Sequence, residues 1–165
     1  LFFDVKAAKG TINAAFSRFN EMYDAFMISH LDDIYGFHRK GVVSSFENQL
    51  KIEFQGDISN YLRQSIRYRL ASLRWSARLL SIPEVAEKYF VGRPVHYQNL
   101  QYAEFFSAFF ENYVASDING PLNKSSLAEV VPLRNLKALD DLFCQDTLLA
   151  RDKRTRELVE MVVMK

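Results

Sequence analysis

The stretch TINAAFSRFNEMYDAFMISHLDDIY (residues 11–35) decides the fold class. Its bulky side chains recur at intervals of three and four residues, as seen in Ile12, Phe16, Phe19, Tyr23, Phe26, His30 and Ile34. This spacing is typical of one face of an amphipathic α-helix. We expect Thr11 to cap the start of this helix and Gly36 to end it in the left-handed conformation.

The helical pattern continues through the first half of the chain. Ser44 and Glu47 have the spacing of a capping box, which predicts a second helix over about residues 45–55. A third helix, capped by Asp57, should direct residues as far as Leu80 toward the core and should stop before Pro83. Pro83 suits the first turn of a short helix that follows.

The second half of the chain predicts further helices. A turn at Gly92 and Pro94 precedes a helix over about residues 96–115, whose aromatic face should belong to the core. A polar segment, residues 116–126, is the best candidate for a mobile loop. Capping-box spacing recurs at Ser126 and Glu129, and two amphipathic segments follow. The sequence therefore predicts an all-α bundle of about six or seven helices, without a convincing strand.

Composition bounds the architecture. The chain has 165 residues, 48% of them hydrophobic and 25% charged, with 14 Phe and 8 Tyr. These values predict residues 1–165 to form a single helical domain with an aromatic-rich core. The predicted core residues are Phe16, Phe19, Phe26, Leu62, Leu73, Phe105, Phe106 and Phe109.

Two global features bear on partners and on the extent of the chain. The net charge of +1 argues against a nucleic acid or an anionic membrane as partner, and no apolar run is long enough for a transmembrane segment. The sequence begins at Leu1 rather than Met and stops within the helical pattern ELVEMVVMK. We therefore expect a fragment of a longer chain, whose export signal would precede Leu1.

The third predicted helix carries five arginines, with no acidic residue between Asp57 and Glu84. At about 100° per residue, four of them fall within about 60° of one another on the helical wheel. These four, which we call the arginine stripe, are Arg63, Arg67, Arg74 and Arg78. Arg69 points roughly the other way, among small serines, and is predicted to be less exposed than the stripe and ion-paired with Glu104 or Glu111.

The arginine stripe has two interpretations. Arginine forks match phosphate and carboxylate groups, so the stripe can be a binding surface. Alternatively, it is a solvated helix face that pairs with acidic neighbours such as those of the first helix, and the near-neutral charge favours this second interpretation. Charge reversal at Arg67 and Arg74 should then leave the melting temperature nearly unchanged.

Catalytic and metal-binding patterns are scarce in this sequence. Cys144 is the single cysteine, so the chain has no CxxC motif, and we expect this residue in the core. His30, His38 and His96 lack metal-ligand spacing, and His30 is expected to be a core histidine. No phosphate-binding glycine loop or nucleophile motif occurs. We therefore predict a non-catalytic chain without a metal or cofactor.

Four stretches together resemble a known protein region. They are FSRFNEMYDAFM (residues 16–27), YLRQSIRYRLASLRWSARL (61–79), EKYFVGRPVHYQNLQYAEFFSAFFENYV (87–114) and LDDLFCQDTLLARDKRTRELVEMVVMK (139–165). In order and spacing, they are similar to the helical region that precedes the redoxin domain in bacterial TlpA-like thioredoxin-family proteins. The resemblance spans most of the chain and consists of packing motifs.

The resemblance implies an accessory role in an exported thiol-disulfide oxidoreductase of the cell envelope or periplasm. The chain would position the redoxin domain or contact a partner protein. Redox chemistry in that family belongs to a CxxC absent here, so no catalytic residue is carried over. We expect the CxxC in a domain that follows Lys165.

Two other functions remain open from the sequence. A free-standing cytoplasmic regulator could bind protein or nucleic acid through the arginine stripe, and salt-sensitive binding would identify a phosphate contact. A small-molecule-binding bundle would instead require a large apolar pocket among the phenylalanines.

Overall fold

The computed structural model describes residues 12–56, 58–116 and 124–165. These residues form eight α-helices and one short 3₁₀ helix, with no strand among them, which confirms the all-α prediction. The helices are α1 (Ile12–Tyr35), α2 (Lys40–Glu53), α3 (Asn60–Ser76), α4 (Ile82–Tyr89), α5 (Leu100–Ala115), α6 (Lys124–Val130), α7 (Leu136–Phe143) and α8 (Lys153–Val163), and the 3₁₀ helix is Leu149–Arg151.

The chain divides into two compact units, the first ending at Leu79 and the second beginning at Leu80. The first unit contains α1 to α3, and the second contains α4 to α8. The single domain inferred from composition stays a prediction, because two compact units can belong to one folding domain.

Helix α1 has the predicted extent but ends differently. Its predicted cap, Thr11, lies outside the described residues. His30 departs from helical geometry at φ −129° and ψ 19°, which kinks the helix. The left-handed conformation expected at Gly36 occurs at His38 instead, where φ is 49°. Glycine at position 36 permits a close approach, since a Cβ there would lie 2.9 Å from the carbonyl oxygen of Asp32.

The start of α2 corrects the sequence prediction. The helix begins at Lys40, and Ser44 lies inside it, where its hydroxyl donates to the carbonyl oxygen of Lys40 at 3.3 Å. The capping box expected from Ser44 and Glu47 is therefore wrong. Glu47 instead contacts a residue of α3, as described below.

Both ends of α3 differ from the prediction. Asp57, the expected cap, lies outside the described residues, and the Ser59 hydroxyl accepts the backbone N–H of Leu62 at 3.2 Å. The helix ends at Ser76, before Pro83 as predicted, but Arg78 and Leu80 lie beyond its end, so their predicted places on the helix are wrong. The chain instead turns after Ala77, where Arg78 adopts a left-handed φ of 55°.

The core of the first unit joins α1, α2 and α3. Phe26 of α1 and Phe46 of α2 stack with ring centroids 4.1 Å apart and an interplanar angle of 9°. Phe16, predicted as core, is half-buried at the edge of this cluster. The buried members are Phe19, Phe26, Ile34, Val43, Phe46, Leu50, Leu62, Leu73 and Ala77. Removal of this apolar surface from water is the main stabilising contribution to the unit.

The core of the second unit is aromatic. Phe90, just after α4, has five aromatic rings of α5 within 5.9 Å of its own, centroid to centroid. These five belong to Tyr102, Phe105, Phe106, Phe109 and Phe110, all buried. The aromatic face predicted for this helix is confirmed as core. The helix begins at Leu100 rather than His96, because the side chain of Asn99 accepts the backbone N–H of Tyr102.

Local caps define the remaining helices. Pro83 lies in the first turn of α4, as predicted, and Glu84 accepts hydrogen bonds from the backbone and hydroxyl of Ser81. These bonds lower the pKa of Glu84. Asn135 caps α7 in the same way as Asn99 caps α5. Most of the segment predicted to be mobile, residues 117–123, and the side chain of Ser126 lie outside the described residues.

Candidate functional site

The structure separates the arginine stripe into different environments. Arg63, Arg67 and Arg74 lie on α3, whereas Arg78 follows the end of the helix and leaves the predicted face. Arg63, Arg67 and Arg78 are exposed, and Arg74 is half-buried. The four side chains therefore do not form one continuous helical stripe.

Arg74 binds a carboxylate of the neighbouring helix. Its Nε donates to Glu47 Oε1 at 2.5 Å and its Nη2 to Glu47 Oε2 at 2.7 Å, a bidentate arrangement. The side chains are 31% and 13% exposed, respectively. The guanidinium is fixed by α2 rather than by the acidic residues of the first helix, which the sequence had suggested.

Arg69 contacts an aromatic ring of α1. Its Cζ lies 4.5 Å from the ring centroid of Tyr23, a cation–π distance. Burial raises the pKa of Tyr23, and the nearby Arg69 opposes that rise. Arg69 is half-buried, and it is less exposed than Arg63, Arg67 and Arg78, as predicted. The prediction does not extend to Arg74, because Arg74 is half-buried as well.

The carboxylates proposed for Arg69 lie in the other unit. Glu104 and Glu111 are exposed residues of α5, while Arg69 belongs to α3. The ion pair with Glu104 or Glu111 therefore stays a prediction. Tyr23, the contact that the structure gives Arg69, was missed because a single sequence does not indicate which helices are neighbours.

A groove of about 400 Å³ lies between α2, α3 and the segment that connects them. Its apolar lining consists of Leu50, Phe54, Ile58, Ile66 and Leu70. We call this cavity the α2–α3 groove. Ile66 and Leu70 fall between Arg63 and Arg74 on α3, so that apolar and basic side chains of the same helix line it together.

The charged lining of the α2–α3 groove is mainly basic. The described lining contains three positive charges, on Lys51, Arg63 and Arg74, and one negative charge, on Glu47. Within the described part of the chain, no ion pair engages Lys51 or Arg63, and Arg63 Nη2 donates to the carbonyl oxygen of Ile58 at 3.3 Å. The groove therefore offers apolar contact beside donors for an anionic group.

A second, mostly apolar cleft of about 340 Å³ lies between α5 and α8 in the second unit. Its lining includes Tyr97, Tyr102, Phe106, Leu158 and Met161. Phe106, which also packs in the aromatic core, is the single phenylalanine of this lining. The cleft therefore differs from the pocket among phenylalanines that a small-molecule bundle would require.

Two other residues singled out in the sequence occupy unexpected positions. Cys144 is exposed at the C-terminal cap of α7, so the expected core position is wrong: the helix ends at Phe143, whose side chain fills the core. His30 is half-buried rather than a core residue, with Nδ1 at 3.1 Å from Asp33 Oδ2. Its ring also lies 5.1 Å from that of Phe26.

Neither a metal-binding cluster nor a membrane-spanning helix occurs in the described ranges. Residues 12–56, 58–116 and 124–165 include no cluster of three or more His, Cys, Asp or Glu side chains arranged to hold a metal ion. In the same ranges, no helix combines the length and the apolar character needed to cross a membrane.

The two exposed groove cations, Lys51 and Arg63, therefore define the candidate site together with the fixed Arg74–Glu47 pair. Sequence reasoning identified Arg63 and Arg74 but missed the contribution of α2. The sequence signal for this contribution is the spacing of Glu47, Leu50, Lys51 and Phe54, which places them on one face of a helix. The sequence prediction instead assigned Glu47 to a capping box at the start of α2.

Comparisons of the chain with known protein families, with curated proteins and with solved structures find no match.

Proposed function

We propose that this chain is a non-catalytic accessory helical domain that binds a protein segment in the α2–α3 groove. The setting that we propose is an exported thiol-disulfide oxidoreductase of the cell envelope or periplasm, as the family resemblance implies. The bound segment belongs either to the redoxin domain of the same protein or to a partner protein. The observation that carries the proposal is the apolar groove with exposed cations along its edge.

The lining of the groove defines the chemistry of the bound segment. Burial of apolar surface contributes about 25 cal/mol per Å² removed from water, so large apolar side chains should contact Ile66 and Leu70. Carboxylates of the same segment should face Lys51 and Arg63. A short acidic amphipathic helix satisfies both requirements, because its apolar and acidic side chains recur at helical spacing.

The Arg74–Glu47 pair supports this proposal through rigidity. The bidentate contact joins α2 to α3 at the groove itself and fixes the orientation of one wall. A surface already held in one geometry loses less conformational entropy on binding than a mobile one. Arg74 therefore supports the shape of the groove, while Lys51 and Arg63 are free of such a bidentate contact and provide the recognition charges.

Binding can be tested with a fluorescein-labelled helical peptide that carries leucines at positions i, i+3 and i+7 flanked by glutamates. Fluorescence anisotropy should show saturable binding, and Arg63→Glu should weaken it at least about tenfold, equivalent to 1.4 kcal/mol. Arg67→Glu is the matched control, since Arg67 is exposed on the same helix but does not line the groove. Equal affinity for the wild type and both variants would exclude the groove as the binding site.

A nucleic-acid partner is distinguished by the same assay. Labelled single-stranded RNA and duplex DNA should show no saturable binding at physiological salt. Binding of either nucleic acid that falls steeply with rising salt, and that both arginine substitutions weaken, would favour the regulator instead.

The proposed setting has a separate test in the coding sequence. We expect an export signal upstream and, within about one domain length after Lys165, a CxxC that follows a short apolar strand. Determination of the complete reading frame provides this measurement. A downstream domain without paired cysteines would remove the redox setting but leave the binding of a protein segment intact.

A further inference from the structure

One face of α1 exposes large apolar side chains to solvent. Ile28 is 83% exposed, and Leu31 and Tyr35 are each 52% exposed. Asp24 and Asp32, both exposed, lie on or beside the same face. We call these five residues the α1 stripe. Isolated exposed apolar residues are common, but a row at helical spacing flanked by acids has the pattern of an amphipathic docking helix.

The α1 stripe faces away from the core of its own unit. Phe19, Phe26 and Ile34 are the buried residues of α1, and they pack with side chains of α2 and α3. Ile28 falls about 180° from Phe19 on the helical wheel, and Leu31 and Tyr35, which follow the kink at His30, are exposed. The stripe therefore cannot reach the α2–α3 groove of the same copy while α1 is packed in place.

The α1 stripe and the α2–α3 groove combine apolar side chains with charges of opposite sign. On α3, Arg63, Ile66, Leu70 and Arg74 occupy relative positions 0, 3, 7 and 11. On α1, Asp24, Ile28, Leu31 and Tyr35 occupy relative positions 0, 4, 7 and 11. The set on α3 spans about 16 Å at 1.5 Å per residue. The set on α1 is divided by the kink at His30 into Asp24–Ile28 and Leu31–Tyr35. The α1 set begins with one acidic residue and continues with apolar side chains, whereas the α3 set has a basic residue at each end of an apolar centre.

We propose that the α1 stripe of one copy docks into the α2–α3 groove of a second copy of this chain, an inference that rests on the proposed function of the groove. Ile28 and Leu31 contact Ile66 and Leu70 of the second copy, and Asp24 faces Arg63. Tyr35 lies at the end of the groove that Arg74 lines. The partner recognised by the groove is then this protein itself.

The contact is heterologous, because two different surfaces of the copies meet. Each copy keeps one vacant stripe or one vacant groove after a single association, so the assembly grows head to tail or closes into a ring. A symmetric pairing of two α1 stripes would instead stop at a dimer. This difference makes the proposal testable by mixing variants.

The experiment uses two variants, each with one altered surface. Leu31→Asp changes the stripe and leaves the groove, whereas Arg63→Glu changes the groove and leaves the stripe. Circular dichroism should show that both remain folded, because the two side chains are exposed. In sedimentation velocity, the wild type should self-associate with rising concentration, and each variant alone should remain monomeric.

The mixture of the two variants is the decisive sample. One intact stripe and one intact groove remain, so the equimolar mixture should form a one-to-one dimer and nothing larger. A mixture that stays monomeric, while the wild type associates, would overturn the heterologous contact. If the wild type remains monomeric but its groove binds the leucine–glutamate peptide, the self-docking proposal fails and the proposed function stands. If neither association nor peptide binding occurs, both fail.

The residue pairing has its own control. Asp24→Arg should disrupt association, and the double variant Asp24→Arg/Arg63→Glu should restore it, because every copy of the double variant then carries both reversed charges and neither wild-type surface. Retention of wild-type association by Asp24→Arg would overturn the proposed pairing of Asp24 with Arg63.

Discussion

The two units hold carboxylates beside their cores in different ways. In the first unit, Glu47 receives a bidentate contact from Arg74 and remains partly exposed. In the second unit, Asp146 is fully buried and accepts hydrogen bonds from the Tyr113 hydroxyl at 2.7 Å and from the backbone N–H groups of Leu148 and Leu149. Within the described residues, no basic side chain forms an ion pair with Asp146.

Asp146 therefore stabilises the fold of its unit, whereas the Arg74–Glu47 pair lies at a surface that can bind a partner. Asp146 joins α5 to the turn after α7 by accepting hydrogen bonds from the Tyr113 hydroxyl and from two backbone N–H groups. Without the carboxylate, these three donors would lose their acceptor. Burial and the hydrogen bond to Asp146 raise the pKa of Tyr113, which keeps the hydroxyl protonated as the donor. The Arg74–Glu47 pair is solvent-accessible at the groove, where a bound segment or salt can modulate it.

The largest expected effect is that of Asp146→Ala. Loss of the carboxylate leaves two buried N–H groups and one hydroxyl without their acceptor, and we expect the free energy of unfolding to fall by about 3–5 kcal/mol. Asp146→Asn retains one oxygen for the backbone donors and should lose less. Urea denaturation provides the measurement, with the exposed Asp141→Ala as control. Equal stability of the two alanine variants would refute the anchoring role of Asp146.

A smaller effect is expected for Arg74→Met. The substitution leaves the 13%-exposed Glu47 without its guanidinium partner, and we expect a loss of about 1–3 kcal/mol. A double-mutant cycle with Glu47→Gln should give a coupling energy of about 1–2 kcal/mol that decreases with salt. A coupling near zero would place this pair among ordinary surface ion pairs. For Arg74, this expected loss replaces the negligible effect of charge reversal that the sequence predicts, and for Arg67 the negligible effect stays a prediction.

The smallest effect concerns the carboxylates of α7 and α8. Arg156 Nε donates to Asp140 Oδ1, and this bond lowers the pKa of Asp140. Burial raises the pKa of Glu160, and the adjacent Asp140 adds to the rise. The stability that Asp140 contributes is present above its unfolded pKa of about 3.9 and is lost as the pH falls. The stability linked to Glu160 is present below about pH 4.3 and is lost as the pH rises through its raised pKa.

Glu160→Gln tests the sign of this linkage. The variant should match the wild type near pH 4 and become more stable than it towards pH 7, by less than about 1 kcal/mol because the side chain is partly solvated. Thermal unfolding across this pH range provides the measurement. Glu157→Gln, an exposed neighbour on α8, is the control. A Glu160→Gln variant that loses stability towards neutral pH would contradict the raised pKa.

Several features of the site show how far sequence reasoning extends. The helical wheel correctly placed Arg63 and Arg74 on one face, and they line one groove. The wheel placed Arg78 wrongly, because the helix ends at Ser76. The role of Glu47 was also predicted wrongly, because a glutamate can serve either in a capping box or in an ion pair with another helix. The exposed α1 stripe was also missed. Whether a helix face is exposed depends on which other helices pack against it, and the sequence of the helix alone does not give that packing.

The sequence by itself determined the helical class and the buried faces, since apolar side chains at helical spacing can be buried together only if the backbone is helical. Seven of the eight predicted core residues are buried for this reason, and Phe16 is half-buried. Tertiary structure alone decided the pairing of Arg74 with Glu47, the contact of Arg69 with Tyr23 and the three donors around Asp146. These contacts join residues whose proximity depends on how helices pack or how a chain turns. Local periodicity carries no information about either.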